Sequence, residues 1–173
     1  MRLILIAVSI VVLFGCSANS SSVKTTTSPV DGKTTTKISR STFDTSWIYP
    51  VSGSAGNPLL IDGGSVTDKQ TASITVSTSS DSGYRSAYFK ADGKRIDLTS
   101  SNAMTDFSSD QYGIDASTSF YISCIELKKV TQSKEVYLRV TFSDGFVDYD
   151  VSKPKYSGAD GFGMIKKISQ YCE

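Results

Sequence analysis

Val136-Tyr137-Leu138-Arg139-Val140-Thr141-Phe142 alternates apolar and polar residues without a break. That period of two is a β-strand with one buried face. The alternation continues on both sides, so Phe120 to Val151 reads as three successive strands. A turn at Gln132-Ser133 would set Leu138 against Leu127, Val140 against Ile125 and Arg139 against Glu126. A loop at Ser143-Asp144-Gly145-Phe146 would set Phe142 against Val147, Val140 against Tyr149 and Leu138 against Val151, with Arg139 facing Asp150. A one-residue slip would put Val140 against Asp148, and the apolar pattern rejects it. The expected result is a Glu126–Arg139–Asp150 ladder on the face opposite the Leu/Val face.

A second hairpin is equally legible. Asp92-Gly93 supplies the positive φ angles of a type I′ turn. It would pair Ala91 with Lys94, Phe89 with Ile96 and Ala87 with Leu98, leaving Tyr88 opposite Asp97 on the other face. Trp47-Ile48-Tyr49, ended by Pro50, and Leu59-Leu60-Ile61, closed by Asp62-Gly63-Gly64, read as short strands. Ser73-Ile74-Thr75-Val76-Ser77 alternates with Ile74 and Val76 inward. Residues 99–118 are polar and read as irregular, with Met104 and Phe107 as core contacts and a helical turn around Ala103 to Phe107. Met164, Ile165 and Ile168 form one stripe at helical spacing. They predict a short helix over Gly161 to Tyr171, packed on the Phe120/Ile122/Cys124 end of the sheet. The fold class expected is therefore mainly β: an antiparallel meander or open sandwich of about seven to nine strands with one short C-terminal helix.

Lys plus Arg total 18 and Asp plus Glu total 17. That balance lacks the basic excess of a nucleic-acid binder, so no nucleic-acid partner is expected. The chain contains no histidine. His-based triads, His metal sites and imidazole acid–base chemistry are thereby excluded.

The N-terminus carries an address. Arg2 precedes an uncharged run, Leu3 to Phe14, that is too short to span a bilayer core of about 20 apolar residues and matches a secretory h-region. Leu13-Phe14-Gly15-Cys16 follows, with an aliphatic residue at −3, a small residue at −1 and then cysteine. This resembles the lipobox of bacterial lipoproteins, with Phe14 larger than is usual at −2. The resemblance covers the signal alone. It implies removal of residues 1–15, acylation of Cys16, and anchoring of the chain to the cell envelope by its lipid. Ser17 at +2 implies the outer membrane in a diderm host.

With Cys16 acylated, Cys124 and Cys172 remain. In an oxidising compartment they are expected to pair as a disulfide, against the alternative of two buried thiols. Residues 16–41 are Ser/Thr-rich and read as a flexible tether, with residues 42–173 as a single β-rich domain. A competing reading makes residues 23–38 a hairpin, turning at Ser28-Pro29-Val30-Asp31-Gly32 between two Thr runs.

Candidate chemistry is sparse. Asp144, Asp148 and Asp150 cluster in sequence, but their spacing matches no calcium loop, and Asp144 reads as turn chemistry. Ser21-Ser22-Val23-Lys24 has the Ser-x-x-Lys spacing of penicillin-binding enzymes without its companion motifs. Gly158-Ala159-Asp160-Gly161-Phe162-Gly163 lacks the ending of a phosphate loop and reads as a helix entry. No catalytic residue, metal ligand or cofactor is assigned. Tyr88 and Tyr137 face away from the Leu/Val faces and are candidate contacts for a ligand, the alternative being cover by loops or the helix. The expected function is a non-enzymatic, membrane-anchored module binding an envelope or extracellular protein. The alternative is a carbohydrate-binding or carboxylate-based hydrolytic envelope protein.

Overall fold

A computed structural model of the chain describes residues 22–40, 46–53, 57–100, 105–110, 113–153 and 160–172. The strands are β1 (Ser22–Thr27), β2 (Thr34–Ser39), β3 (Trp47–Ile48), β4 (Pro50–Gly53), β5 (Leu59–Thr67), β6 (Thr71–Ser79), β7 (Tyr84–Ala91), β8 (Lys94–Ser100), β9 (Asp106–Asp110), β10 (Gly113–Ser123), β11 (Val136–Phe142) and β12 (Phe146–Asp150). The helices are α1 (Cys124–Gln132) and α2 (Gly161–Ser169). The fold is mainly antiparallel β in an open sheet, with one short C-terminal helix, as expected. The sheet order is β1-β2-β5-β6-β10-β8-β7-β11-β12-β4, with β3 on β5 and β9 on β10.

Among the described residues, the two halves of this sheet meet through β8 and β10 at Phe120↔Ser100 and Tyr121↔Thr99. The run around Pro50 makes a second link. Trp47 and Ile48 pair with β5, whereas Ser52 and Gly53 pair with β12. The sheet thus folds over one buried cluster, which takes Ile61, Ile74 and Phe120 from one half and Phe89, Leu138 and Tyr149 from the other.

The β7–β8 hairpin has the expected register at every pair from Ala87↔Leu98 to Ala91↔Lys94, with positive φ at Asp92 and Gly93. Val136, Leu138, Val140 and Phe142 are all buried on β11. Cys124 and Cys172 form the expected disulfide, with Cα atoms 5.3 Å apart.

Six expectations are corrected. First, the strand expected before β11 stops at Ser123 and becomes α1. Ser123 Oγ accepts the Glu126 amide at 3.2 Å, which makes Ser123 the N-cap, and donates to Glu126 Oε2 at 3.1 Å. The buried residues of α1 are Cys124, Leu127 and Val130, a helical spacing, while Ile125 is exposed. Leu138, Arg139 and Val140 accordingly pair with Phe89, Tyr88 and Ala87 on β7, not with Leu127, Glu126 and Ile125.

Second, β12 is shifted by two residues from the expected register. Leu138 pairs with Tyr149, Val140 with Val147, and Arg139 with Asp148 rather than Asp150. A two-residue slip leaves every side chain on its own face, so the apolar pattern does not discriminate against it.

Third, the tether expected through residue 41 is too long, and the hairpin alternative is what forms. β1 pairs with β2 from Ser22↔Ser39 to Thr27↔Thr34, and β2 docks on β5. Ile38 supplies the reason, since its side chain is 1% exposed in the core. Fourth, β5 runs through Asp62-Gly63-Gly64 instead of ending there. A Cβ at Gly64 would collide with the Ser73 carbonyl oxygen and lie 2.8 Å from Ile168 Cδ1, so the glycine admits a close approach of β6 and α2.

Fifth, residues 106–110 and 113–118 belong to β9 and β10 rather than to an irregular segment. Phe107 is 53% exposed and is not a core contact. Met104 lies outside the described residues. Sixth, α2 ends at Ser169 and packs chiefly against β5, β6 and α1 rather than on Phe120 and Ile122 of β10. Its buried stripe is Met164, Ile165 and Ile168, as the spacing predicts.

Candidate functional site

On the half of the sheet formed by β8, β7, β11, β12 and β4, alternation sends apolar residues inward and builds an outer face from cross-strand rows. One row runs Asp97–Tyr88–Arg139–Asp148–Ser52. The next runs Arg95–Lys90–Tyr137–Asp150. Tyr88 and Tyr137, expected on separate strands with no stated proximity, therefore sit on adjacent strands in adjacent rows. They line one shallow hollow of about 270 Å³ with Val51, Ser52, Lys90 and the Arg139–Asp148 pair.

The hollow is held in place by charge and stacking. Arg139 donates to Asp148 through two parallel bonds, Nε to Oδ1 at 2.6 Å and Nη2 to Oδ2 at 2.8 Å. Ser52 Oγ donates to Asp148 Oδ2 at 2.8 Å. The Arg139 hydrogen bonds, opposed by partial burial and helped by Ser52, hold the Asp148 carboxyl below the usual carboxylate range. The same hydrogen bond raises the Arg139 guanidinium further above its already high value. Arg139 lies 4.1 Å from the Phe146 ring centroid and 5.8 Å from that of Tyr88, and Arg95 stacks over Tyr88 at 4.1 Å. These cation–π contacts fix the Tyr88 ring without burying it. The Tyr137 hydroxyl donates to Glu135 Oε1 at 3.1 Å, and that bond to a carboxylate raises the phenol above its ordinary value.

The remaining sequence candidates have local roles. Asp150 Oδ1 accepts from the Ser152 amide, the Ser152 hydroxyl and the Lys153 amide at 2.9 to 3.1 Å, closing the turn after β12. It is not the partner of Arg139. Asp144 lies in the β11–β12 turn. Ser22 and Lys24 of the Ser-x-x-Lys match lie exposed on β1, and Ser21 is outside the described residues. Asp160 caps α2 by accepting the Gly163 amide at 2.6 Å, so the Gly-rich run acts as a helix entry. Among the described residues, no three His, Cys, Asp or Glu side chains cluster to hold a metal ion. Cys16 and the whole N-terminal signal lie outside the described residues.

Sequence reasoning missed Lys90, Arg95 and Ser52 as neighbours of the tyrosines. The type I′ turn already placed Lys90 opposite Arg95, so that part of the signal was present. The adjacency of β7 to β11, which brings the two tyrosines together, has no local signature. No protein-family model matches this chain, and no curated protein or solved structure matches it significantly.

Proposed function

We propose that this chain is a lipoprotein of the bacterial envelope, anchored through Cys16, and not an enzyme but a binding module for another envelope or extracellular protein. The observation that carries the reading is the shared hollow of Tyr88 and Tyr137, flanked by Arg139 and Lys90. Tyrosine and arginine are the residues enriched where protein surfaces meet, because each offers a broad apolar body and a directional polar end. The lipid anchor itself rests on the Leu13-Phe14-Gly15-Cys16 sequence.

The carbohydrate or hydrolytic alternative is less well supported. Carboxylate-based glycoside hydrolysis needs one carboxyl that keeps its proton and a second that does not. Asp148 is held ionised by Arg139, and Asp150 is occupied by the turn. Sugar stacking on Tyr88 would compete with the Arg95 guanidinium over its ring.

The test is affinity capture from envelope extracts and secreted fractions with residues 17–173, alongside the Tyr88→Ala/Tyr137→Ala variant. A protein retained by the parent and lost with the variant is the expected outcome. Equal retention removes this face from the reading. Retention on glycan arrays with no protein captured transfers the reading to carbohydrate.

A further inference from the structure

We infer that the outer face of the β1–β2 hairpin, through Lys24 and Lys37, docks on the anionic phospholipid headgroups of the membrane that holds Cys16. The inference rests on the lipoprotein reading above and adds an orientation to it. Only residues 17–21 separate Cys16 from the first residue of β1. Even fully extended, the step from Cys16 to Ser22 spans about 20 Å. The hairpin is thus the part of the sheet on the shortest leash.

What it presents there is basic. Lys24 and Lys37 are direct cross-strand partners. Their neighbours Val23 and Ile38 form the next pair, and Ile38 is buried, so both lysines project from the opposite, outer face. Both are exposed. Like charges directly opposite on a sheet oppose the pairing unless an anion lies between them. Among the described residues, no carboxylate forms a salt bridge with either one. The nearby Asp62 is engaged by Arg40 at 3.1 Å. Around the lysines the outer face continues as hydroxyls, with Thr35 bonded to Thr67 at 3.2 Å and Ser65 to Ser73 at 2.9 Å. Two uncompensated ammonium groups on a hydroxyl-bearing face suit a row of lipid phosphates. The pull of an anionic bilayer acts only within about 10 Å. The short leash brings the hairpin repeatedly into that range, where the field can seat it.

A second copy is the weaker occupant. Antiparallel β1–β1 pairing would send the two N-termini to opposite ends of the joint, away from a common membrane.

The test uses the full mature protein purified from its host membrane and reconstituted into phosphatidylethanolamine vesicles, with or without phosphatidylglycerol. Lysine acetylation by a membrane-impermeant reagent is read site by site by mass spectrometry. Lys24 and Lys37 should react about fivefold more slowly with phosphatidylglycerol present, the factor expected per lysine at an anionic surface. Lys33 at the hairpin tip and Lys134 should not change. Equal rates at all four, with acyl chains present on the Cys16 peptide, overturn the inference and leave the anchor standing. A Cys16 peptide without acyl chains removes the anchor, and the docking with it. Lys24→Gln and Lys37→Gln, singly, report whether each protects the other.

Discussion

Cutting the Cys124–Cys172 bond tests how this fold is held at its C-terminal end. The bond joins the first residue of α1 to the chain just beyond α2, across a separation of 48 residues. Closing a loop of that length removes unfolded-state entropy equivalent to about 4 kcal/mol in the chain-entropy model. Native-state adjustments usually reduce the measured figure, so the Cys124→Ala/Cys172→Ala variant should lose about 2–4 kcal/mol. The helix should nevertheless remain docked. Met164, Ile165 and Ile168 are each at most 3% exposed, and each such side chain contributes about 1.5–3 kcal/mol by burial. The variant should therefore fold with unchanged far-UV circular dichroism. Its thermal midpoint should fall by about 5–15 °C for a chain of this size. Its urea m-value should rise, because the uncrosslinked chain exposes more surface on unfolding. The assay is urea and thermal unfolding followed by circular dichroism and by Trp47 fluorescence, in oxidised, reduced and variant protein. Coincident midpoints would refute the loop-entropy argument. Selective loss of amide protection over 161–169 at full global stability would show instead that the bond, and not apolar burial, seats α2.

Ile38→Ala should cost about 2–5 kcal/mol, an effect a tether residue would not have, and urea midpoints on the full domain decide it. Gly64→Ala should cost about 3 kcal/mol, since its Cβ meets the Ser73 carbonyl and Ile168. Gly93→Ala has open space and should lose only about 1 kcal/mol for its left-handed backbone. Asp148→Asn should cost about 1 kcal/mol at neutral pH, discounted because the Arg139 side chain is 35% exposed. The Asp148 carboxyl is depressed in the folded state, so its contribution is full above the unfolded value near ~3.9 and is lost as pH falls through the lower folded value. Parent and variant midpoints should therefore converge in acid, and a constant gap from pH 7 to pH 2 would contradict the assignment.

The parts of the fold that were legible in sequence are those with a local cause. Asp92-Gly93 dictates its hairpin because two consecutive positive φ angles admit few other residues. Met164, Ile165 and Ile168 dictate α2 because their spacing fits no strand. Three misreadings have one source, which is long-range contact. The Thr runs of β1 and β2 look unable to form a core because they are: only docking on β5 buries Ile38. Gly63-Gly64 resembles a strand end until β2, β6 and α2 are seen to press on it from either side. Residues 106–109 lack apolar alternation because they are exposed, and among the described residues β9 pairs with β10 alone.

The candidate site shows how far strand periodicity carries an argument and where it stops. Parity alone places Tyr88, Tyr137, Arg139, Asp148 and Asp150 on one face, and a two-residue slip preserves that placement while exchanging partners. Arg139 could thus be assigned to the wrong aspartate with its face still right. Which strands lie side by side is a separate matter. Had Cys124–Gln132 been a strand, it would have occupied the edge of β11 that β7 takes, and Tyr88 would lie elsewhere. The Ser123 N-cap, bonded to Glu126 three residues on, starts a helix at that point and takes this segment out of the sheet. Val136 can then pair with Ala91, and Arg139 with Tyr88. The hollow shared by the two tyrosines therefore depends on a four-residue signal well outside it. A substitution such as Ser123→Ala would weaken that helix start by about 1 kcal/mol without touching any residue that lines the hollow.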